Sequence, residues 1–355
     1  MAEAATKRVA AVTRAAVAVV TPAAVAAASE AAAADDVEGK IAMTVRSVIV
    51  FPLVFCTMAG AGGVAGQAAP PQTSAPATIQ TFGSDQEAVA ALVDALRAAK
   101  RDAIQGVLGP GSEKLLSSGD KYSDAAERQR FLAAYDENHK LVPAAPGQMV
   151  LQVGQDDWPF PIPLVQAEGR WHFDSQAGAQ ELVNRRIGRN EIAAIRTSLA
   201  YVDAQKDFFA LTGQYAQRLA GSPGKHDGLY WPAAEGEAES PLAPLMAQAQ
   251  DEGYPGERVS GKPIPYNGYF FRILTGQGTS AAEGARNYLS GDRMTDGFAL
   301  IAWPASYGAS GIMTFIVNQD GIVFQKDLGP NTAAVAAATK LFDPDLTWAR
   351  VEVVD

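Results

Sequence analysis

The sequence predicts an α+β fold in which helices precede a small antiparallel sheet, and the arrangement occurs twice along the chain. Two observations carry this reading: helical periodicity dominates 84–135 and returns over 190–211, and after each stretch the pattern changes to short β-branched and aromatic runs bounded by Gly, Pro and Asn. A third is length, since 355 residues at roughly 150 per domain make about two domains. With 48% hydrophobic residues, 19% charged residues and one cysteine, the chain is neither a disordered polymer nor a disulfide scaffold.

The first domain spans 84–187. Ser84-Asp-Gln-Glu87 has the capping-box pattern, and Val89, Leu92, Val93 and Leu96 follow at helical spacing, so the first helix covers Asp85 to about Lys100. Shorter helices are expected at Ala103–Leu108 and Glu113–Ser117, broken by Gly109-Pro-Gly111; a fourth opens at Ser123, carries Phe131, Leu132 and Tyr135, and ends near His139. Met149–Val153, Pro161–Val165 and Arg170–Phe173 then read as strands, the last two joined by a Glu168-Gly169 turn. Pro159, Pro161 and Pro163 cannot donate ladder hydrogen bonds, which places that strand at an edge.

The second domain spans 188–355. Asn190 is the expected N-cap of a long helix whose stripe Ile192, Ile195, Leu199, Val202 and Phe208 runs to Leu211. Gly221–Pro265 is loop-dominated apart from a short helix near Leu242–Gln250. Strands return at Tyr269–Leu274, Gly297–Trp303, Ile312–Val317 and Ile322–Lys326, with Asn318-Gln-Asp-Gly321 as a hairpin turn, and Thr332–Leu341 closes the chain as a helix.

The amino terminus carries the address. No charged residue occurs between Arg46 and Asp85, and Val48–Phe55 is an apolar run after Met43-Thr-Val-Arg46 and before the small residues Gly66-Gln-Ala68. That is signal-peptide order, so 43–68 is read as a cleaved signal, 1–42 as a non-native or disordered extension, and 69–83 as a Pro-containing linker. The competing reading is an inner-membrane anchor over 48–66. The expected location is exported, periplasmic or secreted.

Net charge is −10, from 29 Lys and Arg against 39 Asp and Glu, with no basic run, so a nucleic-acid partner is not expected. Contact with membrane is expected only through the N-terminal segment. The three histidines lack metal-ligand spacing and Cys56 lies in the signal, so no metal or cofactor is expected. Ser118-Gly-Asp-Lys121 has the S-x-x-K form, but glycine and aspartate between the two make it a turn.

The strings Asp157-Trp-Pro-Phe-Pro-Ile-Pro163, Gly188-Arg-Asn-Glu191, Tyr201-Val-Asp-Ala-Gln205, Asp227-Gly-Leu-Tyr-Trp-Pro232, Gly268-Tyr-Phe-Phe-Arg-Ile-Leu274 and Met313-Thr-Phe-Ile-Val-Asn318 occur in order over about Gln80–Val351. In them the chain resembles the bacterial domain of unknown function 2950 family, which implies an exported protein without an established activity. The second domain also resembles a type IV pilin or pseudopilin head, a long helix followed by an antiparallel sheet. That helix starts behind a folded domain and lacks an extremely apolar half, so the resemblance implies a pilin-like fold rather than assembly through the helix.

Candidate ligand contacts are Asp157, Trp158, Asp227, Tyr230 and Trp231. Asp156 and Asp157 beside Trp158 have the make-up of an acid/base or carbohydrate-binding pair, or of a solvated turn. Asp227, Tyr230 and Trp231 lie in a Gly/Pro-bounded loop where amphipathic rings stack on a sugar or peptide, or else plug the loop onto the sheet. No catalytic residue is assigned. The expectation is a non-enzymatic binding or assembly module acting on an envelope polymer or envelope protein, with a groove between the two domains. The alternative is a metal-independent envelope hydrolase using paired carboxylates such as Asp157 and Asp227.

Overall fold

Helix α1, Asp85–Ala98, begins where Ser84 Oγ accepts the Glu87 amide at 3.1 Å and the Glu87 carboxylate accepts the Gly83 amide at 2.8 Å. The reciprocal arm of the capping box thus reaches one residue farther back than Ser84. The computed structural model describes residues 79–255 and 263–352; the expected signal, anchor and most of the linker lie outside them. Ala75–Val351 clusters as one compact unit, and helices and antiparallel sheets together make the fold α+β.

Helix α2 is Arg101–Leu108, followed by a single 3₁₀ turn at Glu113–Leu115, and helix α3 is Lys121–Glu137. Asp120 caps α3, accepting the Tyr122 and Ser123 amides, so the Ser118–Lys121 segment is the expected turn. His139 does not end a helix. It opens β1, His139–Ala145, with its ring stacked on Tyr135 at 3.8 Å. This strand was not expected, because Pro143 and two alanines give it little β signal.

The first sheet continues with β2 (Gln148–Val153), β3 (Trp158–Pro159), β4 (Leu164–Ala167) and β5 (Arg170–Phe173), in the order β1-β2-β4-β5 with β3 also on β2. Glu168 and Gly169 both have positive φ, +53° and +76°, which is the I′ geometry of a two-residue hairpin. The expected proline-bearing edge strand is corrected: β4 starts after Pro163 and lies between β2 and β5, so the prolines at 161 and 163 sit where no ladder bond is needed.

Helix α4 is also longer than its periodicity suggested. It runs Ser175–Thr212 as 38 continuous residues, capped by Asp174, and Asn190 is buried in mid-helix, donating to the Ser310 carbonyl at 2.9 Å. Gly178 and Gly188 obscured its first four turns. Gly178 is required there by contact, since a Cβ would stand 2.1 Å from the Pro161 carbonyl oxygen. The helix therefore passes through position 187–188 unbroken, with Ala179 in one hydrophobic core and Ala194, Tyr201, Val202 and Phe208 in another.

Beyond α5, Ala243–Asp251, comes β6, Tyr269–Leu274. Two short ladders follow, Gly276–Gln277 (β7) with Arg286–Asn287 (β8) and Leu289–Ser290 (β9) with Arg293–Met294 (β10). The second sheet is completed by β11 (Ala299–Pro304), β12 (Met313–Asn318), β13 (Phe324–Asp327) and β14 (Ala349–Arg350), ordered β14-β13-β12-β11-β6 and antiparallel throughout. Helix α6, Thr332–Ala338, packs on this sheet. Strands β11 and β12 carry near-continuous apolar residues because α4 covers them on one face. The Glu191 carboxylate pins α4 to β12 by accepting the Ile312 and Met313 amides at 2.9 and 3.0 Å.

Candidate functional site

The expected ligand residues fall into two groups. Asp157 stands in the turn after β2 at φ +52°, a conformation its short side chain tolerates, and its carboxylate is 2.6 Å from Lys140 Nζ. Trp158 follows in β3, half-buried, with Phe160 at 6.4 Å. Asp227 lies in the loop before Leu229, accepting from the Ser222 amide at 2.6 Å and hydroxyl at 2.8 Å, with Arg218 at 3.6 Å. The Ser222 hydrogen bonds, aided by Arg218, hold its carboxyl below the usual range.

Trp231 is 6% exposed in the core beneath the second sheet, edge-on to Phe208 and stacked on His226 at 4.5 Å, and its indole nitrogen has no partner there. Tyr230 packs against the same core and is half-buried. Trp158 instead borders the core of the first sheet. Trp158 and Trp231 thus belong to different hydrophobic cores. Asp157 and Asp227 are each engaged locally, with Lys140 and with Ser222 and Arg218. Among the described residues, no group of three or more His, Cys, Asp or Glu is placed to hold a metal ion.

What Trp158 does border is a half-open cavity of about 470 Å³ lined by α1, α2, α3, α4 and the first sheet. That volume lies within the range of about 300–1,000 Å³ of small-molecule sites. Its wall is apolar: Leu92, Leu96, Ile104, Phe131, Phe160 and Leu182 all contribute. Helix α3 leaves its apolar side chains on this wall partly open, Ser123 being its only buried residue while Phe131, Leu132 and Tyr135 are half-buried.

Six arginines also line it, Arg101, Arg128, Arg130, Arg185, Arg186 and Arg189, against two carboxylates, Asp124 and Glu127, a formal excess of four positive charges in a chain of net charge −10. Both carboxylates are already engaged. Asp124 accepts the Ser118 amide at 3.1 Å, and Glu127 pairs with Arg186 at 3.2 Å and with Arg189. Arg186 is 5% exposed and spends its other donors on the Lys114 and Leu115 carbonyls at 3.0 and 2.9 Å, so its part is to hold the 3₁₀ turn against α4. Arg185 pairs with Glu181 and lies 5.5 Å from the Trp158 ring centroid. Arg101, Arg128 and Arg130 form no ion pair among the described residues.

Sequence reasoning passed over these arginines because they are not a run. The available signal was spacing: Arg185 and Arg189 recur at one helical turn, and Arg128 and Arg130 stand beside the Phe131-Leu132 apolar pair.

A family model described as "Protein of unknown function (DUF2950)" matches residues 79–351. No curated protein and no solved structure matches the chain, so the resemblance to a pilin head finds no support among solved structures.

Proposed function

We propose, on the premise that the chain belongs to the DUF2950 family of unknown function, that it is an exported bacterial envelope protein and a non-enzymatic binding module. Its ligand is a small molecule with an apolar body, held in the cavity between α1–α4 and the first sheet. The observation that carries this reading is the cavity itself, about 470 Å³ with an apolar wall beneath a half-buried helix. A half-open apolar pocket of this size leaves hydrocarbon surface against water, which a bound apolar group would cover.

A small molecule is favoured over an envelope polymer because Trp231, the ring best suited to stacking on a sugar, is in the core. Export is supported by the Met43–Ala68 signal pattern.

The test expresses the full chain from Met1 in a bacterium, fractionates the cell, and records the periplasmic or secreted product by native and denaturing mass spectrometry. The expected result is a mass beginning near Ala69 and a native-state excess that organic extraction removes. A product retained in the cytosol would contradict export. A ligand-free mass, together with no thermal shift on adding a total lipid extract, would contradict the binding role.

A further inference from the structure

The chemistry of the cavity lining goes further than its volume. Resting on the reading of the cavity as a binding site, we propose that its ligand is a single-chain amphiphile with an anionic head, the chain lying along Leu92, Leu96, Phe131 and Leu182 and the head meeting Arg101, Arg128 and Arg130.

Charge complementarity is the first support. A lining of six arginines and two carboxylates on a chain of net charge −10 is a local inversion of sign, and it stays positive when Glu181, the partner of Arg185, is counted. Glu127 is engaged by Arg186 and Arg189 and Glu181 by Arg185, which leaves Arg101, Arg128 and Arg130 without an ion pair among the described residues. Guanidinium groups bind carboxylate, sulfate and phosphate through two parallel N–H donors, which suits them to any of these heads.

The second support is the division of the lining. Arginine stems cover apolar surface while their heads stay in water, so the same side chains that close the mouth over a hydrocarbon chain present charge at its rim. Exposed Arg101 and Arg130 and half-buried Arg128 have this disposition, whereas buried Arg186 is consumed by the fold.

The experiment is calorimetric titration of the full chain with decanoate, 1-decanol and acetate, repeated on Arg128→Gln/Arg130→Gln. Decanoate is expected to bind about tenfold or more tightly than 1-decanol, acetate not measurably, and the double variant to lose about tenfold for decanoate with 1-decanol unchanged. Equal affinities for decanoate and 1-decanol would overturn the anionic head and leave the cavity reading standing. Binding of acetate as tight as decanoate would overturn the chain subsite. No binding of decanoate or 1-decanol would overturn both the cavity reading and the ligand class. Leu182→Trp, which fills the cavity, is expected to abolish binding of both; Leu96→Phe serves if it fails to fold. Undiminished binding in a folded filled variant would place the ligand elsewhere and overturn both readings.

Discussion

The guanidinium of Arg185 lies over the ring of Trp158, 5.5 Å from its centroid, and the two side chains together border the cavity of the first core. One comes from α4 and the other from β3, so the contact fixes the cavity wall where helix and sheet meet. It also separates the roles of the two tryptophans that sequence alone made equivalent.

Trp231→Ala should destabilise the fold by about 3–5 kcal/mol, the usual range for removing a buried large aromatic, while decanoate affinity stays unchanged. Trp158→Ala should do the reverse, weakening affinity with the smaller stability loss of a half-buried ring. Denaturant unfolding read beside ligand titration checks the pair, and equal stability losses would refute the distinction.

Two glycines of α4 should respond with opposite sign. At Gly178 a Cβ would lie 2.1 Å from a backbone oxygen that cannot swing aside, so Gly178→Ala should cost at least about 2 kcal/mol despite the gain of about 1 kcal/mol in helix propensity. At Gly188 nothing lies within 4 Å, and Gly188→Ala should stabilise by about 0.5–1 kcal/mol. Thermal unfolding of both variants decides it.

Asp120 is fully buried and accepts four hydrogen bonds: the Tyr122 and Ser123 amides on Oδ1, and the Tyr254 hydroxyl at 2.7 Å and the Gly268 amide at 2.9 Å on Oδ2. It therefore ties the N-terminus of α3 to the turn before β6. Asp120→Ala should cost about 2–4 kcal/mol, combining a lost cap with stranded donors. Tyr254→Phe, removing one donor to Asp120 and the acceptor of the Asn267 amide, should cost about 1–2 kcal/mol. Equal losses would mean that the cap contributes little.

Alkaline pH should unfold the protein through its tyrosines. Burial raises the hydroxyls of Tyr201, Tyr254, Tyr266 and Tyr269 above the ordinary value of 10.0, with Asp120 adding to the effect at Tyr254, and burial pushes Tyr288 up to about 12. A folded value above the unfolded one contributes stability that is complete below pH 10 and is lost as pH rises from there. Tyrosinate absorbance from these residues should consequently appear only with the loss of near-UV dichroism. A single smooth titration at 10 with the fold intact would contradict this.

Much of the architecture was legible locally. Strand β6 falls on Tyr269–Leu274 as its run of aromatic and apolar residues indicated, and the Glu168-Gly169 and Asn318–Gly321 turns sit where glycine allows positive φ. What failed to show was decided by tertiary contact. Gly178 looks like a helix breaker until Pro161 is seen against it, and β1 is a strand because β2 supplies its ladder, not because Lys140-Leu-Val-Pro143 prefers one. The cavity was hidden for a similar reason, since Arg101, Arg128 and Arg185 come from three helices and meet only in the fold.

The most direct test of the cavity as a ligand site is quenching of tryptophan fluorescence by decanoate carrying bromine at the chain terminus, because a heavy atom quenches only rings that it approaches closely. Of the five tryptophans, Trp158 is the one lining the cavity. Wild-type protein should lose a saturable fraction of its emission, and Trp158→Phe should abolish that loss while still binding decanoate. Equal quenching in the wild type and in Trp158→Phe would place the chain elsewhere and contradict the account.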